Sequence, residues 1–323
     1  MVLCRNFLIH SAILTLVFEA FAIGPVIIWT RLVFLLLGIW LSVEFFLRLA
    51  QSANLSLQHL REHYLYYLLS FLVCGRLIAI LTQYRVYIRD PLRLLIFWDG
   101  GFSFLGGAIG IALVLYWITR TQRTTFLQWL DVLVPPMTLG FVFDWIGRFA
   151  AGQAYGKPTD IFWGITYDTF GVRYTVPIHP VQLYYAIFFL LLTFLLLIIR
   201  KYARRAGAET LFGIVLASIA TFIFEYFRGD FSIPIFATRM DFIVLTLLFV
   251  SLGVFAAVEL TLSRIGMIIY EVVLVTIFGG YLVLRSLMTF ATFELRFSQF
   301  LAILAILAAI VYVLVHRRRY PHL

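Results

Sequence analysis

Charged residues are scarce in this chain. Aspartate, glutamate, lysine and arginine make up 13% of 323 residues, about half the share of a soluble domain. That scarcity excludes a water-facing surface over most of the protein. Cysteine is scarcer still, with two in the whole sequence, Cys4 and Cys74. Cys74 lies inside an apolar run, so a disulfide framework and a C-x-x-C metal site are both excluded. The order of residues contains no Gly-rich phosphate loop, no G-x-S-x-G elbow and no Ser/His/Asp sequence. His59-Leu60-Arg61-Glu62-His63 matches the H-x-x-E-H pattern of some zinc peptidases. A third ligand is missing nearby, so the segment reads as a solvated juxtamembrane turn. No metal or other cofactor is expected.

Apolar residues fill the space that charge leaves. They make up 63% of the chain, and the mean hydropathy is +1.00. A core of this size cannot bury that much apolar surface, so lipid is the solvent for most of it. Apolar runs long enough to cross a hydrocarbon layer, about 20 residues each, occur at 31–50, 63–83, 100–119, 129–147, 180–199, 210–227, 240–260, 265–286 and 299–316. The expected fold is an all-α polytopic transmembrane helical bundle. Residues 7–23 are also apolar but carry Glu19 and end before Pro25. They read as an interfacial helix or as a tenth span, the former preferred. With no small-residue cleavage site before Pro25, this segment is expected to be retained.

A formal net charge of +9 raises the question of nucleic acid, and its placement answers it. Arg120 and Arg123, then Arg200, Lys201, Arg204 and Arg205, then Arg317, Arg318 and Arg319 each follow an apolar run. This is the pattern of cytoplasmic anchors. No exposed domain interleaves aromatics with basic residues, so nucleic-acid binding is not expected. If the three clusters are cytoplasmic, loops 84–99, 148–179, 228–239 and 287–298 face outward.

The outward loop 148–179 is the long one. It is rich in turn residues, with Gly152, Gly156, Pro158, Gly164, Gly171 and Pro177, and it carries Asp160, Tyr167, Asp168, Arg173, Tyr174 and His179. Polar groups gathered above an apolar bundle suggest chemistry at the outer interface, and a solvated loop is the plain alternative. Ionisable residues at membrane depth pair or serve function. Here they are Glu44, Arg76, Asp99, Asp131, Asp144, Arg148, Glu225, Arg228, Asp241, Glu259 and Glu271. Asp144 and Arg148 are spaced to pair on one helical face, as are Glu225 and Arg228. Gly106 and Gly110 form a small-xxx-small face for a neighbouring helix, or leave room for a lipid chain.

Several blocks, taken in order, resemble the bacterial prolipoprotein diacylglyceryl transferase family. Ile23-Gly24-Pro25 followed by Trp29 matches its opening. Gly75-Arg76-Leu77, Asp90-Pro91-Leu92, Trp98-Asp99-Gly100-Gly101-Phe102-Ser103-Phe104 and Gly106-Gly107 follow. The strongest matches are Tyr155-Gly156-Lys157-Pro158-Thr159-Asp160, Trp163-Gly164-Ile165 and His179-Pro180-Val181-Gln182-Leu183-Tyr184, with Glu225-Tyr226-Phe227-Arg228 later. The resemblance implies a multi-pass enzyme of the bacterial inner membrane, its active face outward. Such an enzyme moves a diacylglyceryl group from phosphatidylglycerol to the lipobox cysteine of a preprolipoprotein. It also implies a division into a lead segment at 1–28, a transferase-like bundle at 29–260 with seven spans, and two additional C-terminal spans with a basic tail at 261–323.

The departures from the family pattern bear on the chemistry. Leu105 stands where a histidine is usual, Trp145 for an arginine, Arg148 for an asparagine and Thr221 for another arginine. Thr30 replaces a tyrosine, and Tyr185 replaces the glutamate that closes the His179 block. Thiol attack with a phosphate leaving needs a base and a cation. The resemblance therefore points to His179 and Arg148 as catalytic, and to Arg76, Asp99, Gly106, Gly107, Gly156, Gln182, Tyr184, Glu225 and Arg228 as substrate-binding. A catalytically inactive relative that binds phospholipid or a lipoprotein precursor, and a lipid transporter, remain as alternatives.

Overall fold

The computed structural model describes residues 20–23, 26–82, 87–88, 90–94, 102–119, 123–167, 171–203, 205–230, 235–237, 246–248, 250–252, 263–284 and 295–319. The chain forms two compact units, one of residues 1–213 with 226–232 and the other of residues 214–225 with 233–323. Asp99, Asp168, Asp241, Glu259 and most of the expected span 240–260 lie outside the described residues, as does 7–19.

The first unit opens with an antiparallel hairpin of β1 (Ala20–Ile23) and β2 (Val26–Trp29), with Ala20 opposite Trp29. Residues 20–23 are thus extended, where the sequence suggested helix. After the hairpin come α1 (Thr30–Ser52), a short α2 (Gln58–Glu62), α3 (Tyr64–Thr82), α4 (Phe104–Thr119), α5 (Arg123–Ala150) and α6 (Val181–Tyr202). Helix α7 (Ala208–Phe227) is shared between the units.

Among the described residues, seven helices have the length and apolarity to cross a membrane. They coincide with seven of the expected spans, and the protein is a multi-pass membrane protein. The run at 100–119 differs. Its helix α4 begins at Phe104 and spans 16 described residues, fewer than each of those seven.

Within the first unit α1 packs on α5, α3 on α4 and α5 on α6. Small residues set the closeness of these contacts. A Cβ on Gly106 would lie 2.5 Å from the Cys74 carbonyl, and one on Gly110 2.4 Å from that of Ser70. Ser70 Oγ donates to the Gly110 carbonyl at 2.9 Å. The glycine face is filled by α3, which decides between the two readings of that motif.

Toward the end of the unit that carries the Arg200 cluster, Phe46, Leu49, Tyr67, Leu115, Trp129, Val132 and Leu133 form a buried core. Beside it Asp131 accepts from the Gly207 and Thr210 backbone N–H groups at 2.6 and 2.9 Å and from Thr210 Oγ at 2.7 Å. A buried carboxylate on α5 thereby caps α7, meeting backbone donors that a helix start leaves open.

In the second unit, β3 (Ile235–Ala237) pairs antiparallel with β4 (Leu295–Arg296). Two long apolar helices, α8 (Arg264–Leu284) and α9 (Phe297–Arg319), belong to this unit. Gln299 ties it together. Its Oε1 accepts from Arg296 N at 3.0 Å, and its Nε2 donates to the Phe222 carbonyl at 3.1 Å.

Candidate functional site

The long loop between α5 and α6 is a folded structure with its own core. Ala154 and Gly152 take the left-handed conformation, with φ of 57° and 63°, and turn the chain back after α5. Residues 155–159 then run between two other backbone segments. On one side Lys157 N donates to the Phe227 carbonyl at 2.8 Å and Gly229 N to that of Tyr155 at 2.9 Å. On the other His179 N donates to the Lys157 carbonyl at 3.0 Å and Thr159 N to that of Pro177 at 2.9 Å. Ile165 and Ile178 exchange both backbone bonds at 3.0 Å. Phe149, Tyr155, Ile165, Tyr167, Val172 and Ile178 form the core beneath.

Gly156 sits in the middle of the three segments. A Cβ there would lie 2.2 Å from the His179 carbonyl, and one on Gly229 would lie 2.4 Å from that of Gly156. The segments approach more closely than any side chain allows. Gly156 therefore shapes the floor under His179 through its missing side chain.

His179 leaves this layer just before α6. Its Nδ1 is 3.2 Å from Tyr184 Oη, and Trp163 Nε1 donates to the same oxygen at 2.7 Å. The ring packs 5.0 Å from that of Phe227. Burial lowers the imidazole pKa below 6.5, so at neutral pH the ring is neutral.

A second group lies around the end of α5. Arg148 Nε donates to Asp144 Oδ2 at 3.0 Å, the pairing expected from their spacing. Asp144 also faces Arg31 Nη2 at 3.8 Å, and Arg31 Nη1 donates to Gln153 Oε1 at 2.9 Å. Gln182, fully buried, donates to the Gln153 carbonyl at 2.7 Å. The first turn of α6 thus connects both groups, with Gln182 reaching the arginine cluster and Tyr184 reaching His179.

Trp145 and Tyr185, two of the departures from the family pattern, touch each other. Their rings are parallel within 5° and 4.0 Å apart between centroids, and both are buried. The Arg148 guanidinium lies 5.0 Å from the centre of the Trp145 ring, on a favourable cation–π seat. Two separate substitutions in sequence are one contact in space.

Other expected site residues are elsewhere. Arg228 is buried and grips Asp230 with two hydrogen bonds of 2.5 and 2.9 Å. Arg76 is buried with its guanidinium 5.3 Å from the Tyr87 ring centre. Gly106 and Gly107 face α3, where added Cβ atoms would strike Cys74, Ile78 and Phe71. Glu225 is buried on α7 in the second unit. Asp99 lies outside the described residues. Sequence reasoning missed Arg31, Gln153, Trp163 and Asp230. Asp230 was detectable in principle, two residues beyond a membrane-depth arginine.

The family model described as "Prolipoprotein diacylglyceryl transferase" matches residues 19–315. The chain belongs to this family. The matched range runs through α8 and into α9, which the sequence reading set apart as additional. Relatives named phosphatidylglycerol–prolipoprotein diacylglyceryl transferase are 32–35% identical to it over the aligned stretches. That of Pseudoalteromonas atlantica is 32% identical over 216 residues, 64% of this chain and 74% of the relative. That of Nitrosomonas europaea is 32% identical over 216 residues, 65% and 76%. That of Glaesserella parasuis is 35% identical over 144 residues, 44% and 52%. Within the diacylglyceryl transferase family, the residues this chain brings together around α6 are therefore the place to look for its chemistry.

Proposed function

We propose that this protein transfers a diacylglyceryl group from phosphatidylglycerol to the lipobox cysteine of a preprolipoprotein, at the outward face of a bacterial inner membrane. The observation that carries the reading is the family match over residues 19–315. The site supports it with a neutral imidazole and a fixed cation close to the membrane-facing ends of helices.

The reaction replaces one bond on the lipid's glycerol carbon. The cysteine sulfur attacks that carbon, its C–O bond to phosphate breaks, and glycerol phosphate leaves as the thioether forms. His179 is assigned the thiol proton. With Nδ1–H donating to Tyr184 Oη, Nε2 is bare to accept it. The Tyr184 oxygen has lone pairs for both His179 and Trp163. Arg148 is assigned the phosphate charge. Asp144 engages its Nε, and among the described residues its two Nη groups hold no hydrogen bond, so the guanidinium presents donors to an anion. Gln182, Tyr184 and Gly156 shape this region. Arg76, Asp99, Glu225 and Arg228 keep the substrate-binding role that the resemblance gives them.

The direct test incubates the purified protein in lipid with phosphatidylglycerol carrying a labelled diacylglyceryl group and a lipobox peptide. Labelled thioether is the expected product. A folded sample that binds phosphatidylglycerol and makes none would identify an inactive lipid-binding relative, with Leu105, Trp145 and Thr221 as the reason.

A further inference from the structure

We propose that the loop tip Ile161–Trp163 is seated in the interfacial layer of the bilayer, as an anchor added to the spans. Phe162 is 91% exposed and Trp163 47%, and the two rings meet edge to face at 4.4 Å. So large an exposed aromatic pair is out of place on a water-facing loop whose other large apolar residues, Val176 apart, pack in or against its own core. Two contacts fix the depth of the tip. Trp163 Nε1 bonds to Tyr184, in the first turn of span α6. Lys157, from the same loop, places its ammonium 4.8 Å from the Tyr226 ring centre, at the last turn of α7, with Tyr226 exposed.

The lipid-facing side of α6 leads to the same place. Ile187, Leu191, Phe194 and Ile198 are exposed at helical spacing and form one stripe that begins at Tyr184. The Trp163 indole continues that stripe past the end of the helix. Continuity with a lipid-facing surface selects lipid as the occupant. Tryptophan at the headgroup boundary and a lysine over a tyrosine are the side chains this layer favours. Because Tyr184 Oη also faces His179 Nδ1, the anchor ties the imidazole to the same depth.

The test uses full-length protein in vesicles of phosphatidylglycerol and phosphatidylethanolamine, with Cys4→Ser and Cys74→Ser. An environment-sensitive fluorophore is attached at Phe162→Cys or, for comparison, at Asp160→Cys, an exposed neighbour. The Phe162 label is expected to be quenched by lipids brominated near the headgroup. Its quenching by aqueous iodide should be roughly threefold weaker than that of the Asp160 label. An apolar label favours lipid by itself, so the native ring is read as well: Trp163→Phe should remove part of the brominated-lipid quenching of tryptophan emission. Equal iodide quenching at both positions, or no loss with Trp163→Phe, overturns the proposal. Protection from iodide without brominated-lipid quenching also overturns it, and assigns the tip to a protein contact.

Discussion

His179 and Arg148 are each held by a neighbour that decides what they can do. Burial keeps the imidazole pKa below 6.5. The acid limb of the transfer rate should therefore have its midpoint below that value, measured as kcat/KM against pH. For folding the sign is the same: the native state resists protonation, so this contribution is complete above about pH 6.5 and is lost as pH falls through the lower native value. Replacing the imidazole by His179→Ala should slow transfer by about 10²–10⁴-fold, the usual range for a general base, with the thermal midpoint little changed. Normal turnover by His179→Ala and Arg148→Ala together would sink both assigned roles. Trp145→Ala should cost about 3–5 kcal/mol, the range for a buried aromatic truncation, and should weaken phosphatidylglycerol binding more than binding of a neutral lipid. The four-residue spacing made the pairing of Asp144 with Arg148 legible in the sequence. The stack of Trp145 on Tyr185 was not, because no local pattern reports that a residue on one helix lies flat against another about 40 positions away.

At the scale of elements, hydropathy carried most of the information. Among the described residues, seven of the nine apolar runs are long helices, since a segment in lipid must satisfy its backbone internally. It failed at the edges. Residues 20–23 pair as a strand, and a short apolar run cannot by itself distinguish strand from helix. The loop 148–179 looked like turns, and its residues 155–159 proved to be bonded between 177–179 and 227–229. Those pairings depend on partners far along the chain, which a period of turn residues does not encode. The α3–α4 contact predicts that Gly110→Val will separate the two helices, since its side chain would meet the Ser70 backbone. The check is a large fall in thermal midpoint in detergent. Asp131→Ala should uncap α7 and leave two backbone donors buried without acceptors, at about 1–3 kcal/mol each. A stability loss with the transfer rate at low temperature preserved would place Asp131 in the scaffold.

For the whole molecule, the arrangement of charge assigns opposite faces. The loop with His179 is expected outside, and the Arg200–Arg205 cluster inside. A cysteine introduced at Asp160 should react with an impermeant maleimide in intact spheroplasts, while one at Arg205 should react only after permeabilisation. Reversed accessibility would invert the topology and remove His179 from the outer leaflet. The family match runs through α8 and into α9 of the second unit, ending at residue 315.

The contact of Trp145 with Tyr185 also makes the two positions interdependent. The family pattern calls for arginine at the first position and glutamate at the second. Taken alone, either exchange would set a buried charge against an aromatic ring, at a cost that would remove much of a protein's marginal stability. Made together, the two exchanges are expected to cost less than the sum of the single ones, because each charge then meets the other.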